Sequence, residues 1–211
     1  LRRKAGNIMN AEVDHSLQDS LNAALSAKQR VEVLFEYMRR KGDSRYDEAV
    51  TQLEHGLQAA DLAKNSDATP AEITSALLHD IGHFMMDEND NQSGFQQEDW
   101  CHETVGAELL CQFFGDEVTE PVRLHVPAKR YLCSVDTTYI SGLSSASKRS
   151  FELQGGKMSA EEIATFESHP LYESAVKIRR WDDGAKVSGR TLPDLYQYTS
   201  IVESCIRHES A

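Results

Sequence analysis

Hydrophobic residues recur at helical spacing along most of this chain. Val31, Leu34, Phe35 and Met38, for example, are three or four residues apart, which places them on one face of a helix. The same periodicity predicts helices at residues 17–40, 47–64, from 70 past 79, 99–114, 116–125, a short one from 127, 159–166, 170–181 and 193–208. Residues 136–156 are expected to form loops with one short helix. No segment alternates over strand length, so the sequence predicts an all-α fold in a single domain.

The length of 211 residues is enough for one domain with a hydrophobic core. We expect the folded domain to cover residues 17–211. Residues 1–16 are expected to lie outside it, as a disordered or cloning-derived extension. No apolar run approaches the roughly 20 residues of a membrane span.

The net charge of −12 at pH 7 argues against binding to nucleic acid or to acidic membranes, because phosphate contacts need clustered Lys and Arg. A small phosphate-bearing substrate in a locally basic pocket is compatible with this charge. The four cysteines have no CxxC spacing and no signal peptide precedes them, so we expect free thiols and a cytoplasmic location. The oligomeric state is not predicted.

A His-Asp pair, His79 and Asp80, ends an apolar helical run. Both side chains can bind at one metal centre if the carboxylate of Asp80 approaches it from the side and bridges through an oxygen. His83 follows His79 by four residues and therefore lies on the same helical face. A single His-Asp pair arises often by chance, so its meaning depends on further ligands elsewhere in the chain.

Further histidines and one aspartate lie within other predicted helices and complete a candidate ligand set. The six residues of this set are His55, His79, Asp80, His102, His125 and Asp182. Six nitrogen and oxygen ligands are too many for one tetrahedral zinc ion. They suit two octahedral metal ions that share a bridging carboxylate, with Asp80 as the bridge. Taken one at a time, each histidine is more often a core or surface residue than a ligand, and it is the ordered set around the His-Asp pair that indicates a dinuclear site.

Five short segments surround these residues: QLEH at 52–55, LLHDIGH at 77–83, HETVGAE at 102–108, HVPAKRYL at 125–132 and IRRWD at 178–182. Together with FELQGG at 151–156, they resemble the HD-domain mixed-valent diiron oxygenases that cleave hydroxylated aminoalkylphosphonates. The resemblance extends over roughly residues 45–189. It implies an HD-type helical bundle, two iron ions in the Fe(II)/Fe(III) state held by the six ligands, and O2 as co-substrate.

The resemblance also implies residues that bind the substrate. The positions that match the phosphonate-binding residues of the family are His83, Lys129, Ser147, Ser150 and Arg179. Glu48 matches a glutamate that faces the amine, and Tyr46 lies near a tyrosine that ligates one iron until substrate displaces it. When the chain is aligned so that Glu48 matches the family glutamate, Tyr46 is shifted by one residue from the family tyrosine. A helix cap with acidic residues in its first turn is the other interpretation of this segment.

The expected reaction is oxidative cleavage of the C–P bond of a 1-hydroxy-2-(trimethylammonio or amino)ethylphosphonate, giving phosphate and glycine betaine or glycine. We favour the trimethylammonio compound, because the residues around Tyr46 depart from the pattern of the glycine-forming enzymes. Two other interpretations remain open. One is a dinuclear HD-type phosphohydrolase acting on a nucleotide or phosphoester, and the other is a non-catalytic helical signalling module.

Overall fold

The computed structural model describes residues 13–43, 50–86 and 101–207, and in this part of the chain the regular elements are all helical. In chain order the helices are α1 (Ser16–Ala23), α2 (Ala27–Lys41), α3 (Gln52–Lys64), α4 (Pro70–Leu78), α5 (Ile81–Met85), α6 (His102–Leu110), α7 (Asp116–Val135), α8 (Tyr139–Gly142), α9 (Ser145–Leu153), α10 (Ala160–Glu167), α11 (Tyr172–Gly184), a 3₁₀ helix (Leu195–Tyr198) and α12 (Thr199–Cys205). The predicted all-α fold class is confirmed. The boundary predicted at residue 17 stays a prediction.

The longest helix, α7, lies at the centre of the packing and contacts α4, α6 and α11, while α3 packs on α4 and α11. Buried side chains such as Phe35, Leu78 and Leu110 form one continuous core between α1–α6, α7 and α12. Burying apolar area is the main stabilising contribution to such a fold. The arrangement brings the middle of α3, the end of α4 and the middle of α7 face to face.

The prediction of one helix over residues 17–40 is wrong. Ala24 is extended and ends α1, and Ser26 begins α2 by accepting a hydrogen bond from the backbone N–H of Gln29. This side-chain cap satisfies one of the free N–H groups at the start of the helix, which favours a new start over continuation. The helical spacing of the apolar residues continues across the break at Ala24. The apolar pattern alone therefore could not show where α1 ends and α2 begins.

The opposite error occurs at α7, which was predicted as two helices but is continuous across Pro121 and Pro127. Each proline removes one helical hydrogen bond and crowds the preceding turn, at a cost of about 3 kcal/mol or more. Packing of α7 against α4, α6 and α11 offsets this cost. His125 therefore lies within a helix that tertiary contacts, rather than local propensity, hold together.

Other boundaries also differ from the predictions. α3 begins at Gln52, where Thr51 and Glu54 form a capping box, and not at residue 47. α4 ends at Leu78, so His79 and Asp80 occupy a turn before α5. The predicted loop region 136–156 contains two helices, α8 and α9. The predicted last helix is a 3₁₀ turn followed by α12, after which Ile206 makes an isolated bridge with Phe114.

Two glycines allow close helix contacts beside the His-Asp turn. A Cβ atom at Gly56 would lie 2.9 Å from the carbonyl oxygen of Leu77, and one at Gly82 would lie 2.1 Å from that of His102. Both clashes involve backbone atoms, which cannot rotate away. The absence of a side chain at these positions therefore lets α3 approach α4, and α5 approach α6.

No helix in the described ranges is long and apolar enough to cross a membrane.

Candidate metal centre

The six residues predicted as metal ligands lie together in the interior. His55 is on α3, His79 and Asp80 follow α4, His102 begins α6, His125 is on α7 and Asp182 is on α11. Five of these residues are buried, and the side chain of His102 is 12% exposed. Because five separate segments supply these groups, the centre depends on the tertiary packing described above.

The carboxylate of Asp80 divides the four imidazoles into two pairs. Its Oδ2 lies 3.5 Å from Nε2 of His55 and 3.4 Å from Nε2 of His79. Its Oδ1 lies 3.3 Å from Nε2 of His102 and 3.6 Å from Nε2 of His125. Asp182 joins the first pair, since its Oδ1 lies 3.3 Å from Nε2 of His55. Each oxygen of Asp80 thus faces its own set of ligands, as a bridging carboxylate requires.

Backbone carbonyls fix the tautomers of three imidazoles. Nδ1 of His55 lies 2.8 Å from the Ala185 oxygen, that of His79 2.9 Å from the Ala76 oxygen, and that of His125 2.7 Å from the Val122 oxygen. Since a carbonyl oxygen only accepts, each Nδ1 carries the proton and donates it. The lone pair of each Nε2 then points into the centre. A second partner of this kind is the usual support of a metal-binding histidine.

The donor atoms of each histidine pair lie close enough together to bind one cation. Nε2 of His55 lies 3.1 Å from Nε2 of His79, and Nε2 of His102 lies 3.2 Å from Nε2 of His125. In the first pair both nitrogens are acceptors, so their lone pairs repel each other at this distance, and the carboxylate oxygens add negative charge. Four imidazole nitrogens and two carboxylates form a donor set that suits first-row transition-metal ions. The residues present therefore fit a dinuclear metal site.

The pKa directions agree with neutral imidazoles and ionised carboxylates. Burial lowers the pKa of His79 and holds that of His125 well below its ordinary value. Burial alone would raise the pKa values of Asp80 and Asp182, yet both lie well below their usual range. For Asp80 the surrounding imidazoles of His79, His83 and His102 lower the pKa, the last of them also by a hydrogen bond. For Asp182 the charges of Arg179 and Lys186 lower it. These are the protonation states in which the groups bind metals.

A group of cations and hydroxyls lies next to the Asp182 side of the centre. Nζ of Lys129 donates to Oγ of Ser150 at 2.7 Å, and Ser147 lies one helical turn away on α9. Burial, together with the charge of Arg179, lowers the pKa of Lys129 to about 7. Three of the five residues predicted to bind phosphonate are thus neighbours in this group.

Arg179 has a different environment from the one expected of a free phosphonate donor. Its Nη1 donates to Oδ2 of Asp182 at 2.5 Å, and its other nitrogens donate to the Asp183 carboxylate and to the hydroxyl of Tyr139. The guanidinium therefore fixes the candidate ligand Asp182 and balances its charge. Arg179 precedes Asp182 by three residues on α11, so the two share a helical face, but this spacing alone does not show that they pair.

His83 lies on the other side of Asp80. Its ring stacks on that of His102 with centroids 3.8 Å apart, and its Nε2 lies 3.9 Å from Oδ1 of Asp80. This position is compatible both with a further ligand and with a donor to a substrate bound at the second pair. The catalytic candidates Tyr46 and Glu48 lie outside the described residues.

Several polar residues of the site were missed by the sequence reasoning. Lys186 lies 3.4 Å from Oδ1 of Asp182, and Tyr139 and Asp183 contact Arg179. Lys186 follows the end of α11, so helical periodicity could not assign it to the site. Asp183 is next to Asp182 in the sequence, but nothing in the sequence indicated that it would contact Arg179.

Comparisons with known proteins assign this chain to a family. The HD-domain model matches residues 52–164. Hydroxymethylphosphonate dioxygenase from Gimesia maris is 60% identical over 200 residues, covering 95% of this chain and 100% of the relative. The chain belongs to the HD-domain phosphonate dioxygenase family. The glycine-betaine-forming 1-hydroxy-2-(trimethylamino)ethylphosphonate dioxygenase of Leisingera caerulea is 42% identical over 168 residues, which cover 79% of this chain and 85% of that protein.

Membership of this family confirms the resemblance found in the sequence and the HD-type fold. It also confirms that the protein is an enzyme of the oxygenase class. Both relatives are dioxygenases by name, which favours oxidation over the phosphohydrolase and signalling interpretations. The cytoplasmic location and the individual roles of the site residues stay predictions.

Proposed function

We propose that this protein cleaves the C–P bond of a 1-hydroxylated alkylphosphonate with O2, releasing phosphate and a carboxylate. The observation that carries the proposal is the bridging geometry of Asp80 beside the Lys129–Ser150 pair, in a chain 60% identical to a phosphonate dioxygenase along that relative's whole length. Iron is the metal we propose, because activation of O2 needs a redox-active ion and the imidazole and carboxylate donors suit iron.

Hydroxymethylphosphonate is the substrate we propose first. The relative named for this compound is 60% identical, against 42% for the relative that acts on the trimethylamino compound. The reaction balances as hydroxymethylphosphonic acid plus O2 giving formic acid plus phosphoric acid, so the carbon loses four electrons and O2 gains them. The trimethylammonio compound favoured from the sequence is the second candidate, supported by the 42% relative.

The roles of the protein residues follow from their chemistry. The six ligands would hold two iron ions, which when bound activate O2 and polarise the substrate hydroxyl. Lys129, Ser147 and Ser150 would hold the phosphonate by charge and hydrogen bonds, orienting the reacting carbon. Arg179 would keep Asp182 in position through their 2.5 Å contact. His83 would reach the substrate from the Asp80 Oδ1 side. Hydroxymethylphosphonate has no amine, so the role predicted for Glu48 applies only to the second candidate substrate. Tyr46 keeps its predicted role as an iron ligand that substrate displaces.

The test is phosphate release with and without O2. The protein would be loaded with iron under anaerobic conditions and mixed with hydroxymethylphosphonate, the trimethylammonio compound or the amino compound. We expect phosphate and formate in equal amounts from the first, an EPR signal of the partly oxidised iron pair, and no phosphate when O2 is absent. Phosphate release that continues without O2 would refute the oxygenase proposal and favour the phosphohydrolase. The ratio of kcat/KM values ranks the three substrates.

A further inference from the structure

The hydroxyls of Ser147 and Ser150 each accept a hydrogen bond from a different lysine. Lys129 on α7 donates to Ser150 at 2.7 Å, and Lys186 donates to Ser147 at 3.3 Å. The two serines are one turn apart on α9, so they present their hydroxyls on one face. Two lysine–serine pairs thus lie side by side, although only Lys129 was predicted to bind the phosphonate.

Lys186 lies in the same buried electrostatic environment as Lys129. Its side chain is 13% exposed and its Nζ lies 3.4 Å from Oδ1 of Asp182. The charges of Arg179 and Lys186 both act on Lys129. An ammonium group is removed from water at considerable cost unless anionic groups stabilise it. A metal ion would take up the charge of Asp182, and Asp183 balances that of Arg179. The positive charges of Lys129 and Lys186 beside the two serines then suit a doubly charged anion.

Backbone contacts on both sides of Lys186 fix its position. The oxygen of Ala185 accepts from His55 at 2.8 Å. The side chain of Gln58 bonds both backbone polar groups of Val187, donating to the oxygen at 2.9 Å and accepting from the N–H at 3.0 Å. His55 and Gln58 are three residues apart on α3, so one face of this helix clamps both neighbours of Lys186.

We propose that Lys186 is a phosphonate-binding residue, and that Gln58 is a positioning residue that aims its side chain at the substrate. This inference deepens the proposed function and rests on it. The alternative is that Lys186 only balances the charge of Asp182. The two roles differ in one measurable respect: a substrate contact controls affinity for the phosphonate dianion, whereas a simple counter-ion controls metal retention.

The main experiment measures equilibrium binding rather than turnover. Methylphosphonate, which has no hydroxyl to oxidise, would be titrated calorimetrically into the iron-loaded protein without O2. We expect Lys186→Met to weaken binding about tenfold to a hundredfold, since one charge-assisted hydrogen bond is lost, while two irons are retained. Lys186→Arg, which keeps the positive charge, should recover most of the affinity and also tests that the loss is not due to misfolding.

Gln58 is tested by a double-mutant cycle. Gln58→Leu should weaken methylphosphonate binding by about threefold to tenfold in the native background and have no further effect when combined with Lys186→Met. The matched control is Arg190→Met, which removes the 2.6 Å contact with Asp61 farther along the same segment. This variant should bind within about twofold of the native protein.

Unchanged methylphosphonate affinity in Lys186→Met would overturn the proposal, and so would a loss of iron without a loss of affinity. An additive effect of Gln58→Leu in the Lys186→Met background would overturn the positioning role. Failure of the proposed reaction looks different. In that case the native protein would release no phosphate from hydroxymethylphosphonate, although methylphosphonate would still bind in a Lys186-dependent manner, which supports the binding role.

Discussion

Replacing Gly82 by alanine should remove one of the two metal ions and spare the other. The new Cβ would lie 2.1 Å from the carbonyl oxygen of His102, 2.8 Å from its carbonyl carbon and 3.0 Å from its Cα. All three are backbone atoms at the start of α6. The clash can be relieved only if α5 and α6 separate by about 1 Å or more, since carbon–oxygen contacts are ordinarily above 3 Å.

A shift of that size is large for a metal ligand. Nε2 of His102 now lies 3.3 Å from Oδ1 of Asp80, and metal–ligand distances are held to about 0.2 Å. The pair formed by His102 and His125 should therefore lose its ion. His55 lies on α3 and His79 in the turn after α4, away from α6, so this pair should keep one ion. Overpacking should also reduce the free energy of unfolding by about 1–3 kcal/mol.

Iron per chain, measured after anaerobic loading and desalting, is the direct assay. We expect about two ions in the native protein and about one in Gly82→Ala, together with loss of the EPR signal of the coupled pair. Gly142→Ala is the matched control, because no atom lies within 4 Å of its added Cβ. A full load of two ions in Gly82→Ala would show that the α5–α6 contact does not hold the second pair together.

Three further predictions concern other groups. His102→Ala should remove one metal ion and abolish turnover, and a full iron load in this variant would contradict its assignment as a ligand. Methylphosphonate affinity should fall as the pH rises through about 7, where Lys129 loses its proton, and calorimetry on Lys129→Met should show this decline absent. Glu72→Ala should cost about 1–2 kcal/mol at pH 7 in urea unfolding, since Glu72 completes a capping box and accepts from Lys177 at 2.9 Å. Its pKa is lowered in the fold, so this contribution is lost as the pH falls below about 4.5 and the variant should then match the native protein.

The grouping of the six candidate ligands was the most predictable feature of the molecule. Histidine and aspartate are chemically distinctive, and their order along the chain does not depend on the helix boundaries. His125 was assigned correctly to a helix, although the prediction ended that helix at residue 125 and the structure continues it to Val135. What could not be predicted was which oxygen of Asp80 faces which pair, because that depends on the relative placement of four helices.

The group of cations and hydroxyls beside Asp182 was only partly predictable. Lys129 and Ser150 were both predicted to bind phosphonate and are hydrogen-bonded to each other, but Lys186 lies beyond the end of α11, where no periodicity applies. Arg179 was expected to face the substrate, whereas most of its hydrogen bonds go to Asp182 and Asp183. Spacing along a helix identifies which residues share a face. It does not show to which of several neighbouring acceptors a long cationic side chain will donate its hydrogen bonds.

The carbonyl contacts of the imidazoles have a consequence for how the enzyme acquires its metal. His79 and His125 each donate to the carbonyl three residues earlier in the chain, those of Ala76 and Val122. Each ring is therefore oriented by its own segment, without help from the ion. A chain that folds before it meets its metal would already present both rings in the right direction, so little conformational entropy would be lost when the metal binds. Metal delivery can then follow folding, and an enzyme that has lost its metal ions should be reloadable without being unfolded.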